Sequence, residues 1–269
     1  MFFDADYEVL LADNGFSKNI HYQIRYQVYC QETGFENPQN YVEPLEVDEY
    51  DSSSVHFVAR DKVSGDWLGA IRLVIGEVES MPSFQSLSDK YLDKVKIFDS
   101  VEKFRSTKVV EISRLCVLKK YRTHIKSEKN CNVSGSDVVR SPDTVIEYVD
   151  KGQQSEIMMG LLRAAYTYCV KNKLDICLFT VTKALARILS RLGFSIIKSG
   201  KECEYHGTRV SFFCEIENFL SGVEDISPDL YQMFIRPEAY KRFSCLNTQI
   251  NVESSGKIRH FPPLLKQIA

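Results

Sequence analysis

The sequence predicts a mixed α/β (α+β) fold, a central sheet flanked by helices, on three observations. Amphipathic helical stretches alternate with β-rich runs; two of those runs lie close enough to form an antiparallel hairpin; and a strand–helix–strand passage in the second half demands a parallel crossover. The composition allows such a core. The chain has 269 residues, 44% of them apolar and 26% charged, which excludes wholesale disorder and fibrous repeats.

Taken in order, Ser17 reads as an N-cap, followed by KNIHYQIRYQVYC with Ile20, Ile24 and Val28 on one stripe. A Pro-containing loop, ENPQNYVEPLEVDEYD, ends in an acidic cluster. VHFVAR and WLGAIRLVI flank the polar turn DKVSGD and predict the hairpin. KVVEISRLCVL, residues 108–118, is dense enough in apolar residues to be the central strand. Residues 123–153 are polar and carry Gly135, Pro142 and Gly152, the pattern of a long insertion or mobile loop. From Ser155 apolar residues recur at helical spacing: Ile157, Met158, Leu161, Leu162, Ala165 and Cys169. The strand ICLFTVT, the helix ALARILSRL stopped by Gly193, the strand FSIIK, the turn-bearing ECEYHGTRV and a last strand VSFFCEI complete residues 1–216. In ECEYHGTRV, His206 serves the turn and Gly207 supplies a positive φ. Residues 217–269, broken by Pro228, Pro237, Pro262 and Pro263, form a C-terminal appendage packing on the core.

Eight cysteines form no C-x-x-C pair and no zinc spacing, and several sit in apolar segments, so buried free thiols and no metal site are expected. No run approaches the ~18 apolar residues of a membrane span, and the N-terminus lacks a basic n-region. The chain therefore reads as cytoplasmic, with membrane contact at most peripheral. Nothing in it marks nucleic-acid binding. Charge is uneven: residues 1–66 hold thirteen acids against four Lys/Arg, and residues 102–129 nine Lys/Arg against three acids. The second block is either a docking surface for an acidic partner or a solvated face.

Six charged residues fall where the pattern calls for burial: Arg25 on the first helix, Asp48 and Asp51 after the loop, Arg72 in LGAIRLVI, and Glu111 and Arg114 in the central strand. Three Arg match three carboxylates, so a closed network is possible. Such a network can simply fix the loop to the sheet, or it can shape a site. A carboxylate on a central strand opening to a cleft is a candidate general base, and that role falls to Glu111. Strict alternation would send Arg114 to the other face. A bulge near Ser113–Cys116 would bring both to one side and expose backbone N–H groups.

These residues resemble a known family. Arg25, Tyr29, Phe35, DEYD at 48–51, AIRL at 70–73 and EISRL at 111–115 look like the acyl-homoserine-lactone synthases, autoinducer synthases of the N-acetyltransferase (GNAT) fold. YCQETGFE, SRLCVLKKYR, LSRLGF and EYHGTR are more similar to their relatives, the N-acyl amino acid synthases and exosortase-associated acyltransferases. The resemblance covers roughly residues 16–216. It implies a GNAT-type sheet and a bulged central strand whose backbone at Leu115, Cys116 and Val117 binds a thioester carbonyl. It further implies transfer of a long-chain acyl group from acyl carrier protein to a small-molecule amine such as an amino acid.

In that reading Glu111, Ser113 and Arg114 are catalytic, with Arg114 and Arg72 orienting the base or the acceptor carboxylate. Arg25, Tyr29, Asp48 and Asp51 shape the N-terminal wall. Phe35 and Phe84 either line the acyl channel or are ordinary core. The family fold usually holds coenzyme A pyrophosphate on a glycine-rich loop after the central strand. This chain has KKYRTHIKSEK there, without glycine. That favours a carrier-protein donor over acyl-coenzyme A, with no cofactor bound, and assigns Lys119, Lys120, Arg122 and Lys126 to carrier docking. The lactone synthases' usual Trp is Phe35 here, and no S-adenosylmethionine site is specified. A lactone synthase using S-adenosylmethionine and a catalytically silent acyl-carrier or lipid-binding module remain the alternatives.

Overall fold

The computed structural model describes residues 3–105, 108–122, 151–205 and 207–246, and of residues 151–153 the backbone alone. Among these residues one mixed sheet organises the chain. Its strands are β1 (Tyr7–Leu11), β2 (Ser54–Asp61), β3 (Trp67–Gly76), β4 (Val109–Val117), β5 (Ile176–Val181), β6 (Ile197–Lys198), β7 (Cys203–Glu204), β8 (Thr208–Glu215) and β9 (Lys241–Arg242). They run in the order β6-β8-β5-β4-β3-β2-β1-β9, with β7 paired to β8. Neighbours from β1 to β4 are antiparallel, β4 and β5 are parallel, and β5 and β8 are antiparallel. This is the mixed GNAT-type sheet expected from the sequence.

One face is covered by α1 (Gly15–Tyr26) and by α2 (Lys94–Phe104). Asn14, not Ser17, caps α1. Asn14 has the extended backbone a cap needs, and its Oδ1 accepts from Ser17 N at 2.9 Å, with Ser17 closing the capping box from the third helical position. Ile20, Ile24 and Val28 pack as one stripe on Leu10, Val58 and Ala70. The helix runs on into a π turn, Gln27–Glu32, and then into the loop that carries the acidic cluster.

The other face is covered by α3 (Lys151–Lys171), which begins inside the segment read as a loop. Ile157, Leu161, Leu162, Ala164, Ala165 and Cys169 pack there on Phe57, Ile71, Leu73, Val110 and Cys177. After β5, Thr182 caps α4 (Lys183–Arg191), and Gly193 ends it with φ 88°. A Cβ on Gly193 would sit 2.1 Å from the Gly222 carbonyl oxygen, so both the backbone angle and the contact require glycine. FSIIK gives only the two-residue β6, while Cys203–Glu204 of ECEY forms β7, with Gly207 at φ 89° in the turn; His206 lies outside the described residues. In the tail, α5 (Pro228–Ile235) seats Leu230, Met233 and Phe234 in the α3-side core, and β9 adds in parallel to β1. The seven described cysteines are unpaired, six of them buried. No helix among the described residues is long and apolar enough to cross a membrane.

Two features of β4 position the site. First, its register with β3 slips between Ala70↔Cys116 and Arg72↔Ser113, so that Ile71 alone faces both Arg114 and Leu115. Arg114 takes a left-handed φ of 52°, a conformation that costs a non-glycine residue about 1–3 kcal/mol. This is the expected bulge. Second, β4 pairs with β5 only from Val110↔Cys177 to Ile112↔Phe179, whereas β5 continues with β8 as far as Val181↔Val210. Beyond Ile112 the two parallel strands therefore part, and the sheet opens.

Candidate active site

The opening between β4 and β5 is the centre of a cavity of about 480 Å³. Its mouth on the α1 face is polar, lined by Tyr29, Asp48, Tyr50, Arg72, Glu111, Ser113, Arg114 and Tyr205. It passes between the strands to an apolar end on the α3 side, formed by Leu162, Ala165, Tyr166, Cys169, Leu189 and Phe219. A polar entrance with a deep apolar end is the usual form of a site for an amphiphilic ligand.

Behind the mouth lies a closed ion network. Arg25, with 0% exposure, donates from Nε to Glu46 and from Nη1 to Asp51 at 2.6 Å. Arg72 donates from Nη1 to Asp51 at 3.0 Å and to Asp48 at 2.5 Å, and from Nε to Ser113 Oγ at 2.9 Å. Arg114 reaches Glu46 at 2.9 Å and Asp48 at 3.2 Å, with its guanidinium 5.3 Å from the Tyr29 ring centre. His56 Nε2 donates to Asp51 at 3.0 Å. Three guanidinium groups thus hydrogen-bond to three carboxylates, but the third is Glu46 and not Glu111, and Glu36 adds a fourth at 3.6 Å from Arg114. Burial opposes ionisation of Glu46 and Asp51. For Glu46, the charges and hydrogen bonds of Arg25 and Arg114 outweigh it. For Asp51, the His56 hydrogen bond and the charges of Arg25 and Arg72 do the same. Both carboxyls are held below their usual range. Pairing of this kind is what makes buried charge tolerable.

Glu111 stands apart from that network. It is 4% exposed, and its Oε2 accepts from Ser83 N at 3.0 Å and Ser83 Oγ at 2.7 Å. Its Oε1 accepts no hydrogen bond among the described residues. Burial pushes its carboxyl up to about 7, against the lowering effect of the two Ser83 donors and the Arg72 charge. A carboxylate that titrates near neutrality at a cavity wall can take a proton and give it up again. The bulge brings Arg114 to the same face as Glu111, where it meets Glu46 and Asp48.

The other expected site residues divide. Tyr29, Phe35, Asp48, Arg72, Ser113 and Leu115 line the cavity with Glu111 and Arg114. Arg25 and Asp51 lie behind it in the network. Cys116 and Val117 are buried in the layers on either side of the sheet, and burial pushes the Cys116 thiol up to about 12. Phe84 is a correction: it packs edge-on against Phe98 at 5.6 Å in the core, while Pro82 and Ser86 of the same turn face the cavity.

Among the described residues the basic block is also not one patch, because β4 separates its two ends and Arg114 is withdrawn into the network. Lys103 pairs with Glu215, Lys120 with Asp66 and Arg122 with Glu32, while Lys119 is exposed. Lys126 lies outside the described residues. Sequence reasoning missed Glu46, Ser83, His56, Tyr205 and Arg209. Glu46 left a signal as an acid between Leu45 and Val47, and Tyr205 and Arg209 fall within EYHGTR, a segment given no role of its own. Among the described residues no group of His, Cys, Asp and Glu is placed to hold a metal ion.

Residues 24–127 match the family described as Acetyltransferase (GNAT) domain. No curated protein matches the chain. Among solved structures, the CoA-dependent acyl-homoserine lactone synthase BjaI, solved with SAM and isopentyl-CoA, is 14% identical with a TM-score of 0.54, over 88% of this chain and 92% of that one. The AHL synthase LasI is 14% identical with a TM-score of 0.50, over 81% and 96%. FeeM, an N-acyl amino acid synthase from uncultured soil microbes, is 11% identical with a TM-score of 0.49, over 80% and 94%. At these identities the structural likeness is one of fold. Taken with the matched segment, it gives the chain the GNAT fold, with residues 24–127 matching an acetyltransferase domain of that fold.

Proposed function

We propose that the chain moves a long-chain acyl group from an acyl carrier protein thioester to the amino group of an amino acid. The observation that carries this reading is the cavity itself, whose polar mouth holds Glu111 and whose apolar end lies on the far side of the sheet. An acyl chain laid through the β4–β5 gap brings its thioester carbon to the mouth. The amine nitrogen then bonds to that carbon, the C–S bond breaks, and the amine's proton passes by way of Glu111 to the leaving thiolate. An α-ammonium has a pKa of ~8, so its proton moves to a carboxylate near 7 against about 1.4 kcal/mol, a small fraction of an acyl-transfer barrier. The parting strands leave the β4 edge from Ser113 without β5 partners, which suits backbone donors for the oxyanion.

Release of free carrier thiol on mixing enzyme, acyl carrier protein thioester and an amino acid panel tests the proposal. Thiol release that required S-adenosylmethionine would replace it with lactone synthesis. Binding of acylated carrier protein without release would replace it with a silent binding module. If the apolar end holds the chain, Ala165→Leu should shorten the preferred acyl group by about three carbons. Each methylene is worth ~0.8 kcal/mol, so kcat/KM for the longest accepted donor should fall by about 10²-fold while short donors are spared. Equal losses at all chain lengths would place the acyl group elsewhere.

Carrier docking is assigned to the exposed end of the basic block after β4. Because Lys120 and Arg122 already have acidic partners, reversal at Lys119 and Lys120 together should weaken carrier binding by about tenfold rather than abolish it, with a parallel loss in raised salt. Titration of labelled acyl carrier protein measures this. Affinity indifferent to both changes would leave the block a solvated face.

A further inference from the structure

Three guanidinium groups line the cavity, and two are already neutralised: Arg72 by Asp48 and Asp51, and Arg114 by Glu46 and Asp48. The third, Arg209, has no carboxylate partner among the described residues. Its one described hydrogen bond runs from Nη1 to the carbonyl of its neighbour Thr208 at 3.4 Å. No described Lys or His lines the cavity. Among the described residues an anionic group entering the mouth therefore finds one guanidinium without a carboxylate partner.

The register sets that cation on the same face as Glu111. Leu178 lies beside Glu111 on β5, and Phe213 lies opposite Leu178 on β8. Two residues further on, Thr180 faces Ser211, their hydroxyls 3.0 Å apart. Two residues further again, Thr182 and Arg209 take the same face, where the strands have parted. By strand geometry the Glu111 and Arg209 backbones are roughly 15 Å apart. A small zwitterion, its ammonium toward Glu111 and its carboxylate toward Arg209, fits within that distance. Tyr205, in the hairpin that carries Arg209, lies over the same mouth, within the fields of Arg114, Glu111 and Arg72. Glu36 and Asp48 also line the cavity but pair with Arg114, and Glu49 adds to Glu111 a second acid with no ion pair among the described residues. The mouth is thus acidic at the Glu111 and Glu49 side and cationic at Arg209, a polarity that matches an ammonium and a carboxylate on one molecule.

We propose that Arg209 anchors the acceptor's carboxylate in a bidentate pair, so that the acceptor is an α-amino acid and not a simple amine. The assignment rests on the acyl-to-amine reading above. It replaces the expectation that Arg72 or Arg114 plays this part, since their charges are already balanced by the carboxylates of the network.

The test is single-turnover acyl transfer with a panel of amino acids and their carboxamides, using wild type, Arg209→Gln and Arg209→Lys. Wild type should prefer the acid to the amide. Arg209→Gln should raise acceptor KM by about 10²-fold and erase that preference, with kcat little changed. Arg209→Lys, which keeps the charge but not the fork, should lose about tenfold, and it serves as the readout if the Gln variant folds poorly. A rise in donor KM instead would assign Arg209 to the phosphate of the donor's pantetheine arm and overturn the proposal. So would unchanged acceptor KM in both variants. Wild type that transfers to no amine at all would overturn the acyl-transfer reading itself.

Discussion

Glu111→Gln should lower the rate of thiol release by about 10²–10⁴-fold, the usual worth of a positioned proton acceptor. It should also remove the acidic limb, centred near pH 7, from the pH–rate profile. Its effect on stability should run the other way. The Glu111 carboxyl has an ordinary value of 4.5 and is raised to about 7 by burial, so the folded state keeps a proton that the unfolded state has lost. Stability therefore falls as pH rises from about 4.5 to 7, and the penalty persists in full above that. Two and a half units correspond to as much as about 3 kcal/mol. Glutamine never ionises, and its carbonyl can accept from both Ser83 donors, so the variant should melt at least as high as wild type at pH 8 and show no such slope. Thermal melts at pH 5 and pH 8 beside single-turnover rates decide the matter. A strongly destabilised variant with intact turnover would remove Glu111 from the chemistry.

Glu46→Gln should do the opposite. Glu46 has 0% exposure and joins Arg25 to Arg114, so neutralising it leaves two buried guanidinium groups short of a partner. A loss of about 3–5 kcal/mol is expected, or about 10 °C in Tm, while Glu43→Gln on the exposed part of the same loop should stay within ~0.5 kcal/mol. The pH dependence reverses too. Depressed carboxyls contribute stability that is complete above their ordinary values of 4.5 for Glu46 and 3.8 for Asp51, and it drains away as pH falls below them. Acid unfolding of the wild type should therefore steepen below about pH 4, and Glu46→Gln should be flatter there. Denaturant titrations at pH 4 and pH 7 measure both effects. A Glu46→Gln variant as stable as wild type would mean that Arg25 and Arg114 repartner without cost.

The sheet was legible in the sequence because hydrophobic period and turn chemistry are local properties. The hairpin of β2 and β3 is written in DKVSGD, where Asp61 Oδ1 accepts from both Val63 N and Ser64 N. Buried charge was legible for the same reason: Arg72 and Glu111 interrupt apolar strands, and interruption is visible along the chain. Pairing was not. Glu111 and Arg72 are near neighbours, yet Arg72 turns to Asp48 and Asp51 while Glu111 takes a serine 28 positions away. Which carboxylate closes the network depends on how the loop after the π turn folds back, and no periodicity encodes that. Ser83 sits in a single helical turn, where the sequence carries little but polarity, and Arg209 stood in a recognisable segment, EYHGTR, that named no partner for it. Phe84 misled because an aromatic beside a cleft and an aromatic in the core leave the same trace.

The bulge at Arg114 acts on the strand as a change of phase. Before it, Val109, Glu111 and Ser113 belong to the α1 side while Val110 and Ile112 belong to the α3 side. After it the parity inverts: Leu115 and Val117 join the α3-side core, and Cys116 and Leu118 the α1-side core. A single supernumerary residue thus lets one strand satisfy two incompatible apolar alternations, one on each side of the bulge. Shortening the strand by that one position could not be a local injury. It would force either the Glu111 half or the Cys116 half to turn inside out, exchanging carboxylate for isoleucine or thiol for valine along the whole segment. The central strand is in this sense two strands spliced at one residue, and the splice and the candidate site occupy the same place.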